Sequence, residues 1–502
     1  MNAIFEQLSK ELERVKALSM ALTLFEWDNA TEAPKEAVFL TAKARGILST
    51  EFYHALMNEK IKGLLEQLNE EEDLNSYEKA VVKAVKKQYE ELELIPADEY
   101  QAYSELVSKS QHIWELAKEH NNFEEFAPVL EQIIQFQKKF TDYALEGSDA
   151  FPTRYDKLLN DYEEGFTTKE LDEFFEKLKE AIVPLVKMVS NKNEKIQKSY
   201  ASRNYPIKKQ EEFNLFLAKY LGFDFNRGVI KESVHPFTIN FHNKDVRITT
   251  SYFEDLMESA IFSTIHETGH ALYEMGIDDD ITFSVVGEGT SMGMHESQSR
   301  LFENNIGRSK EFWEPIFPKL KEIFKEQLED VDFDTFLMGI NKAEASLVRT
   351  EADELTYSLH IMIRYEIEKK FMNETMTMEQ IKELWNQKYE EYLGICPKTD
   401  AEGVLQDVHW SQGSIGYFPS YAIGNAVAAQ IYEHLKTVMP VDKYLREGNL
   451  KAIVEYLRQH IHRFGKTKTM QEILKDMTGE TFNPNYYITY LQEKYTKLYE
   501  NL

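Results

Sequence analysis

Two histidines and a glutamate stand together at His266-Glu267-Thr268-Gly269-His270. Positions four apart share one face of an α-helix, a single turn apart. On a helix, both imidazoles therefore point the same way, and their neutral ring nitrogens can bind one Zn²⁺ at about 2.0–2.1 Å. Glu267 can reach a water on the open side of such an ion and would act as general base in metal-assisted hydrolysis. Three fixed residues are a short signal, and two histidines one turn apart also occur as hydrogen-bonded core residues. The surroundings favour the chemical reading. Phe253, Leu256, Met257, Ala260, Ile261 and Ile265 recur at helical spacing, which puts the motif late in an amphipathic helix ending near Gly276. A glycine inside a helix costs about 1 kcal/mol relative to alanine, so close approach of a neighbour or of substrate is expected at Gly269.

A catalytic zinc needs three protein ligands and one open position. A third histidine six residues after the second is excluded, because Gly276 stands there. Glu274 lies on the same helical stripe as the histidines. Three ligands in line cannot easily wrap a tetrahedral ion, and Glu274 suits a carboxylate that holds a histidine tautomer instead. Glu296, in Gly293-Met294-His295-Glu296-Ser297, is the better candidate and is preferred to Glu288 and Glu274. Gly287, Gly289 and Gly293 mark a loop, Ser291 is an N-cap candidate, and Met294, Leu301 and Phe302 supply an apolar face. Glu296 then sits in the first turns of a second helix, with enough chain in between to approach from a different direction. His295 is expected to point elsewhere, and Asp278, Asp279 and Asp280 to form a solvated turn.

The elements that position these residues are mostly helical. Among 502 residues, Gly (21) and Pro (13) are sparse. Amphipathic segments of helical period cover residues 4–22, 77–94, 96–117, 123–144, 168–189, 209–221, 310–328, 334–371, 378–393 and 426–436. No Pro/Gly/Ser-rich linker or fixed-period repeat divides the chain, so one peptidase domain spanning 1–502 is expected. The charge run Glu70–Asp73 reads as a solvated loop or helix end. Residues 235–241 and 245–250 alternate apolar and polar side chains around His242-Asn243-Lys244, which predicts a short β-hairpin just before the zinc helix. A small sheet there can offer its edge to an extended peptide.

The net charge of −28 argues against nucleic acid and anionic membrane as partners. No apolar run is long enough to span a bilayer, and the N-terminus does not read as a secretory signal. Cys396 is the only cysteine, which precludes an internal disulfide and fits a cytoplasmic location.

Several further motifs carry a resemblance. Trp27-Asp28-Asn29-Ala30-Thr31 with Pro34, His235-Pro236-Phe237, Asp245-Val246-Arg247-Ile248-Thr249, the zinc motif, His295-Glu296-Ser297, Arg349-Thr350-Glu351-Ala352-Asp353, Gly403–Trp410 and Gly416-Tyr417-Phe418-Pro419-Ser420-Tyr421 follow one another in order. Together they resemble the thermostable carboxypeptidase Taq family of metallocarboxypeptidases, nearly end to end. Ala33 departs from the methionine usual in that family. The resemblance implies a mainly α fold with two helical lobes flanking a deep groove, like neurolysin and angiotensin-converting enzyme. It implies release of single C-terminal amino acids from peptides with a free C-terminus, with broad preference and poor cleavage next to proline. It also implies a divalent metal, usually Zn²⁺ with Co²⁺ as an effective substitute, and a homodimer.

On this reading His266, His270 and Glu296 are the metal ligands and Glu267 the general base. The oxyanion of the tetrahedral intermediate needs a further donor. Tyr417, on a loop constrained by Gly413, Gly416 and Pro419, is the first candidate and His409 the second. A free carboxylate is best recognised by arginine. Arg349, with Glu351, Asp353 and Glu354 near it in sequence, is preferred to Arg247 on the hairpin. His235 and Asp407 are expected to organise structure, and Trp410 to pack. Two other readings compete: an oligopeptidase cutting internally, and a helical binding protein with a structural metal. The intact Glu267 argues against the second, since a structural site has no use for a base.

Overall fold

Helix prevails because long stretches of this chain repeat apolar side chains at helical spacing and punctuate them with caps. Thr167, Thr377 and Thr469 each form a capping box with the residue three positions on. Gly222 and Gly394 end their helices in the left-handed conformation. The computed structural model describes residues 2–500 and 502. Two compact units are distinguished. The first comprises Met1–Glu90, Lys198–Ile340 and Ile431–Phe482, and the second Glu91–Gln197, Asn341–Gln430 and Asn483–Leu502.

Most expected helices are present with small shifts at their ends, such as Phe123–Leu145, Thr168–Ser190 and Met378–Leu393. The segment expected over 334–371 is two helices, Phe333–Ile340 and Tyr357–Asn373. Between them the backbone bonds to side chains instead of to a helical ladder. Tyr499 accepts from the Ala343 N–H at 2.9 Å, Gln406 accepts from the Arg349 N–H at 3.0 Å, and Tyr389 donates to the Leu347 carbonyl at 3.0 Å. These partners satisfy the backbone without helix, and the irregular run carries Arg349. The acidic run at 70–73 lies between helices Glu59–Asn69 and Ser76–Glu93.

The first unit holds a three-stranded sheet. Strand β1 spans Gly228–Glu232, β2 spans Thr238–His242 and β3 spans Asp245–Thr250, in the order β1-β3-β2. β2 and β3 form the expected hairpin, and β1 adds a parallel partner to β3. Val246 and Ile248 of β3 pack with Ala271 and Met275 of helix Met257–Gly276, and with Ala218 and Phe223. This cluster fixes the sheet against the helix that carries both histidines. Among the described residues, no helix is long and apolar enough to cross a membrane.

Candidate active site and metal centre

The histidine helix, Met257–Gly276, is buried on nearly every side from Ile265 onward. The glutamate helix, Met292–Arg300, packs against it, with Ser291 capping its start by accepting from the Met294 N–H at 3.1 Å. Gly269 is where the two touch. A Cβ built there would lie 2.6 Å from Ser299 Cα and 2.7 Å from the Gln298 carbonyl oxygen, both backbone atoms. Only glycine lets the helices come this close, and that approach carries Glu296 to the histidines.

The ligand atoms of His266, His270 and Glu296 lie within 4.8 Å of one another. Glu296 Oε2 stands 3.7 Å from His266 Nε2 and 3.6 Å from His270 Nε2. A tetrahedral ion bound at about 2.0–2.1 Å separates its donors by roughly 3.3–3.5 Å, so the set fits a small divalent cation. The other polar atoms of these residues are engaged elsewhere. Arg300 donates to Glu296 Oε1 at 2.6 Å, and His266 Nδ1 stands 2.7 Å from Glu303 Oε2. Burial alone would raise the pKa of Glu303, but Arg300, His266 and Arg308 bring it down to about 2, which keeps it an acceptor. Burial disfavours a proton on His266, yet Glu296 and Glu303 outweigh it and raise the pKa. His270 is held well below the usual value by burial, then by His295, His266 and Arg300.

Glu267 is 6 % exposed, and burial raises its pKa against the opposing pull of His266 and Thr238. Thr238 on β2 donates to its Oε2 at 2.5 Å, and Asn240, two residues on, donates to Glu274 at 2.7 Å. Alternate residues of a strand face one way, as do positions seven apart on a helix. One face of β2 thus braces two carboxylates of the histidine helix. Thr238 and Glu303 were missed in the sequence because their partners come from other elements. For Glu303 a faint signal exists, since it stands two helical turns beyond Glu296. His295 does not point away: its Nδ1 lies 2.6 Å from His270 Nδ1, and its Nε2 lies 2.7 Å from Glu274 Oε1.

Arg247 also belongs to the first unit. It forms a bidentate pair with Asp245, both contacts 2.8 Å, and stacks over Phe241 and Trp27. Trp27 in turn meets Phe237 edge to face. The early Trp27 motif and the hairpin motifs therefore pack together. His235 is exposed.

Arg349, His409 and Tyr417 belong to the second unit. Arg349 is buried, and its partners are Asp407, at 2.9 and 2.8 Å, and the Tyr357 hydroxyl at 3.0 Å. Its sequence neighbours do not orient it. Asp353 instead accepts from the backbone N–H groups of Glu344, Leu355 and Thr356, and Glu354 from Tyr490 and Lys494. Asp407 also accepts from Arg364 at 2.7 Å. Its carboxyl is held far below the usual range, since the two guanidiniums outweigh burial. His409 sits among aromatic rings, tilted on Tyr417 at 5.5 Å and on Phe418 at 4.4 Å. Burial and the nearby arginines push its pKa down to about 3, so it is a neutral imidazole. Tyr421, adjacent to both His409 and Tyr417, completes the cluster. Trp410 packs as expected but also donates to the buried Glu368 at 2.8 Å.

The sequence matches the family described as "Carboxypeptidase Taq (M32) metallopeptidase" over residues 7–495. Carboxypeptidase 1 of Bacillus subtilis is 44 % identical over 490 residues, covering 97 % of each chain. Thermostable carboxypeptidase 1 of Pyrococcus furiosus is 35 % identical, covering 98 % of this chain and 99 % of that one. A solved Pyrococcus furiosus carboxypeptidase superposes with a TM-score of 0.95 at 34 % identity, covering 99 % of both chains. The M32 carboxypeptidase of Deinococcus radiodurans also gives 0.95, at 31 % identity and covering 99 % of this chain and 100 % of that one. With the match running almost from end to end, and two histidines and a glutamate gathered as an ion would require, the chain belongs to the carboxypeptidase Taq (M32) family and is a metallocarboxypeptidase.

Proposed function

We propose that this metallocarboxypeptidase holds a zinc ion between His266 Nε2, His270 Nε2 and Glu296 Oε2 and releases single C-terminal amino acids from peptides, with broad side-chain preference. The observation that carries the reading is the pair of Nε2–Oε2 separations, 3.7 and 3.6 Å, with both histidine Nδ1 atoms turned to other partners. An ion held by these three residues would supply a Lewis acid and make a neighbouring water more acidic.

Glu267 takes the proton of the attacking water and returns it to the departing amine. Its raised pKa makes it a stronger base in the first step, and the proton it gains there is the one it returns in the second. Thr238 occupies Oε2, which leaves Oε1 for the water. Tyr417 and His409 are proposed to donate to the oxyanion that develops on the cleaved carbonyl. A phenol and a neutral imidazole each carry a hydrogen to donate there.

Arg349 is proposed to receive the substrate's free carboxylate, with Arg247 as the alternative. Asp407 and Tyr357 fix its guanidinium plane, which suits bidentate recognition. Arg349→Ala should raise KM by roughly tenfold or more and leave kcat less affected, the pattern of lost carboxylate binding. Trimming rates for a peptide and its C-terminally amidated twin provide the check. The wild-type enzyme should cut the free acid far faster; equal rates on both would overturn the exopeptidase reading. Cobalt is proposed as a competent substitute for zinc, because both favour the same ligands. Poor cleavage next to proline and a homodimeric state, which rest on the family resemblance, and a cytoplasmic location, which a single cysteine fits, complete the reading.

A further inference from the structure

His295 takes no part in the reaction outlined above, yet its imidazole is held on three sides. Its ring centroid lies 4.7 Å from that of His270 and 5.1 Å from that of Tyr273. On the third side a Cβ at Gly289 would come within 2.6 Å of its Cδ2. Both ring nitrogens have one partner each. Nε2 meets Glu274 Oε1 at 2.7 Å, and Nδ1 meets His270 Nδ1 at 2.6 Å.

Which nitrogen carries hydrogen follows from Glu274. That carboxylate is 2 % exposed and also accepts from the Gly289 N–H at 2.9 Å and from the Asn240 amide at 2.7 Å. A carboxylate ringed by donors is an acceptor, so the hydrogen in the Glu274–His295 contact belongs to Nε2. A neutral imidazole has one N–H, and Nδ1 of His295 is then an acceptor. The hydrogen in its contact with His270 must come from His270 Nδ1. The lone pair of His270 Nε2 is left facing Glu296 Oε2.

We propose that His295 is a positioning residue, relaying the acceptor character of Glu274 to His270 and so fixing the tautomer and ring orientation in which His270 presents Nε2 to the metal. The proposal rests on the reading of His266, His270 and Glu296 as the ligands. It also makes the two histidines unequal. His266 Nδ1 faces a carboxylate, Glu303, whereas His270 Nδ1 faces the imidazole of His295. The carboxylate of Glu274 is thereby coupled to the metal centre without being placed against it.

The test measures metal affinity rather than turnover. Zn²⁺ and Co²⁺ dissociation constants would be obtained by chelator competition on the full chain, with visible absorption of the cobalt form as a second readout. His295→Leu removes both nitrogens and should weaken binding by about 10–100-fold and shift the cobalt spectrum. His295→Asn places an oxygen close to where Nδ1 stood and should recover most of the affinity. Thermal melting without metal separates a folding defect from a binding defect, and His295→Phe serves as the apolar variant if the leucine one does not fold. Unchanged affinity and spectrum in the apolar variant overturn the relay, as does an asparagine variant no better than the apolar one. His270→Ala is the control for the underlying reading. If it binds the ion as tightly as wild type, the ligand assignment itself is wrong.

Discussion

Glu267→Gln is expected to abolish nearly all peptide hydrolysis while the protein folds and binds metal as before. The amide keeps the size of the carboxylate and can still accept from Thr238 through its oxygen. It cannot take a proton from water, so the general-base contribution disappears, a loss of roughly 10²–10⁴-fold in kcat. Glu267 supplies none of the three atoms gathered around the proposed ion, so zinc affinity should stay within a few-fold of wild type. Active-site titration with zinc, followed by single-turnover kinetics, reads both quantities on one preparation. Hydrolysis at the wild-type rate in the metal-loaded variant would remove Glu267 from the mechanism.

Gly269→Ala is expected to disturb the site through a single added methyl group. On an exposed helix the same change gains about 1 kcal/mol. Here the added carbon meets Ser299 Cα at 2.6 Å and the Gln298 carbonyl at 2.7 Å, and backbone atoms cannot rotate away as a side chain would. Overpacking of this kind costs about 1–3 kcal/mol and occasionally more. Relief requires the histidine and glutamate helices to separate, which moves Glu296 away from His266 and His270. A shift of about 1 Å in a catalytic constellation can cost roughly 10²-fold in rate. The expected result is a lower unfolding midpoint together with weakened zinc binding. Wild-type values for both would mean that the two helices tolerate separation and that Gly269 is not what sets their distance.

The sequence exposed those parts of the site that obey local periodicity. His266 and His270 are legible because a helix forces positions four apart onto one face, and Glu296 because a capped second helix follows a glycine-rich loop. The hairpin at 238–250 is legible from its alternation. The supports are not. Thr238, Glu303 and His295 act through partners on other elements, and no spacing within one element encodes such a contact. Asp407 orients Arg349 across a long stretch of chain, which made the nearby acidic residues the wrong guess. Strand β1 pairs in parallel with β3, a non-local match that a five-residue strand does not announce. Helix Val38–Leu56 escaped because, among its described side chains, burial is confined to Ala55 and Leu56, so no apolar stripe marks it. The break after Ile340 escaped for the opposite reason. Its apolar residues keep helical spacing, but side chains from distant segments satisfy the backbone.

Mass spectrometry of a mixed peptide set, incubated with the zinc-loaded protein beside a chelator-treated control, tests the proposed activity most directly. Ladders that lose one residue at a time from the C-terminus, absent in the chelated sample and restored by added zinc, are the predicted result. Internal cuts, or ladders that persist after complete metal removal, would contradict it.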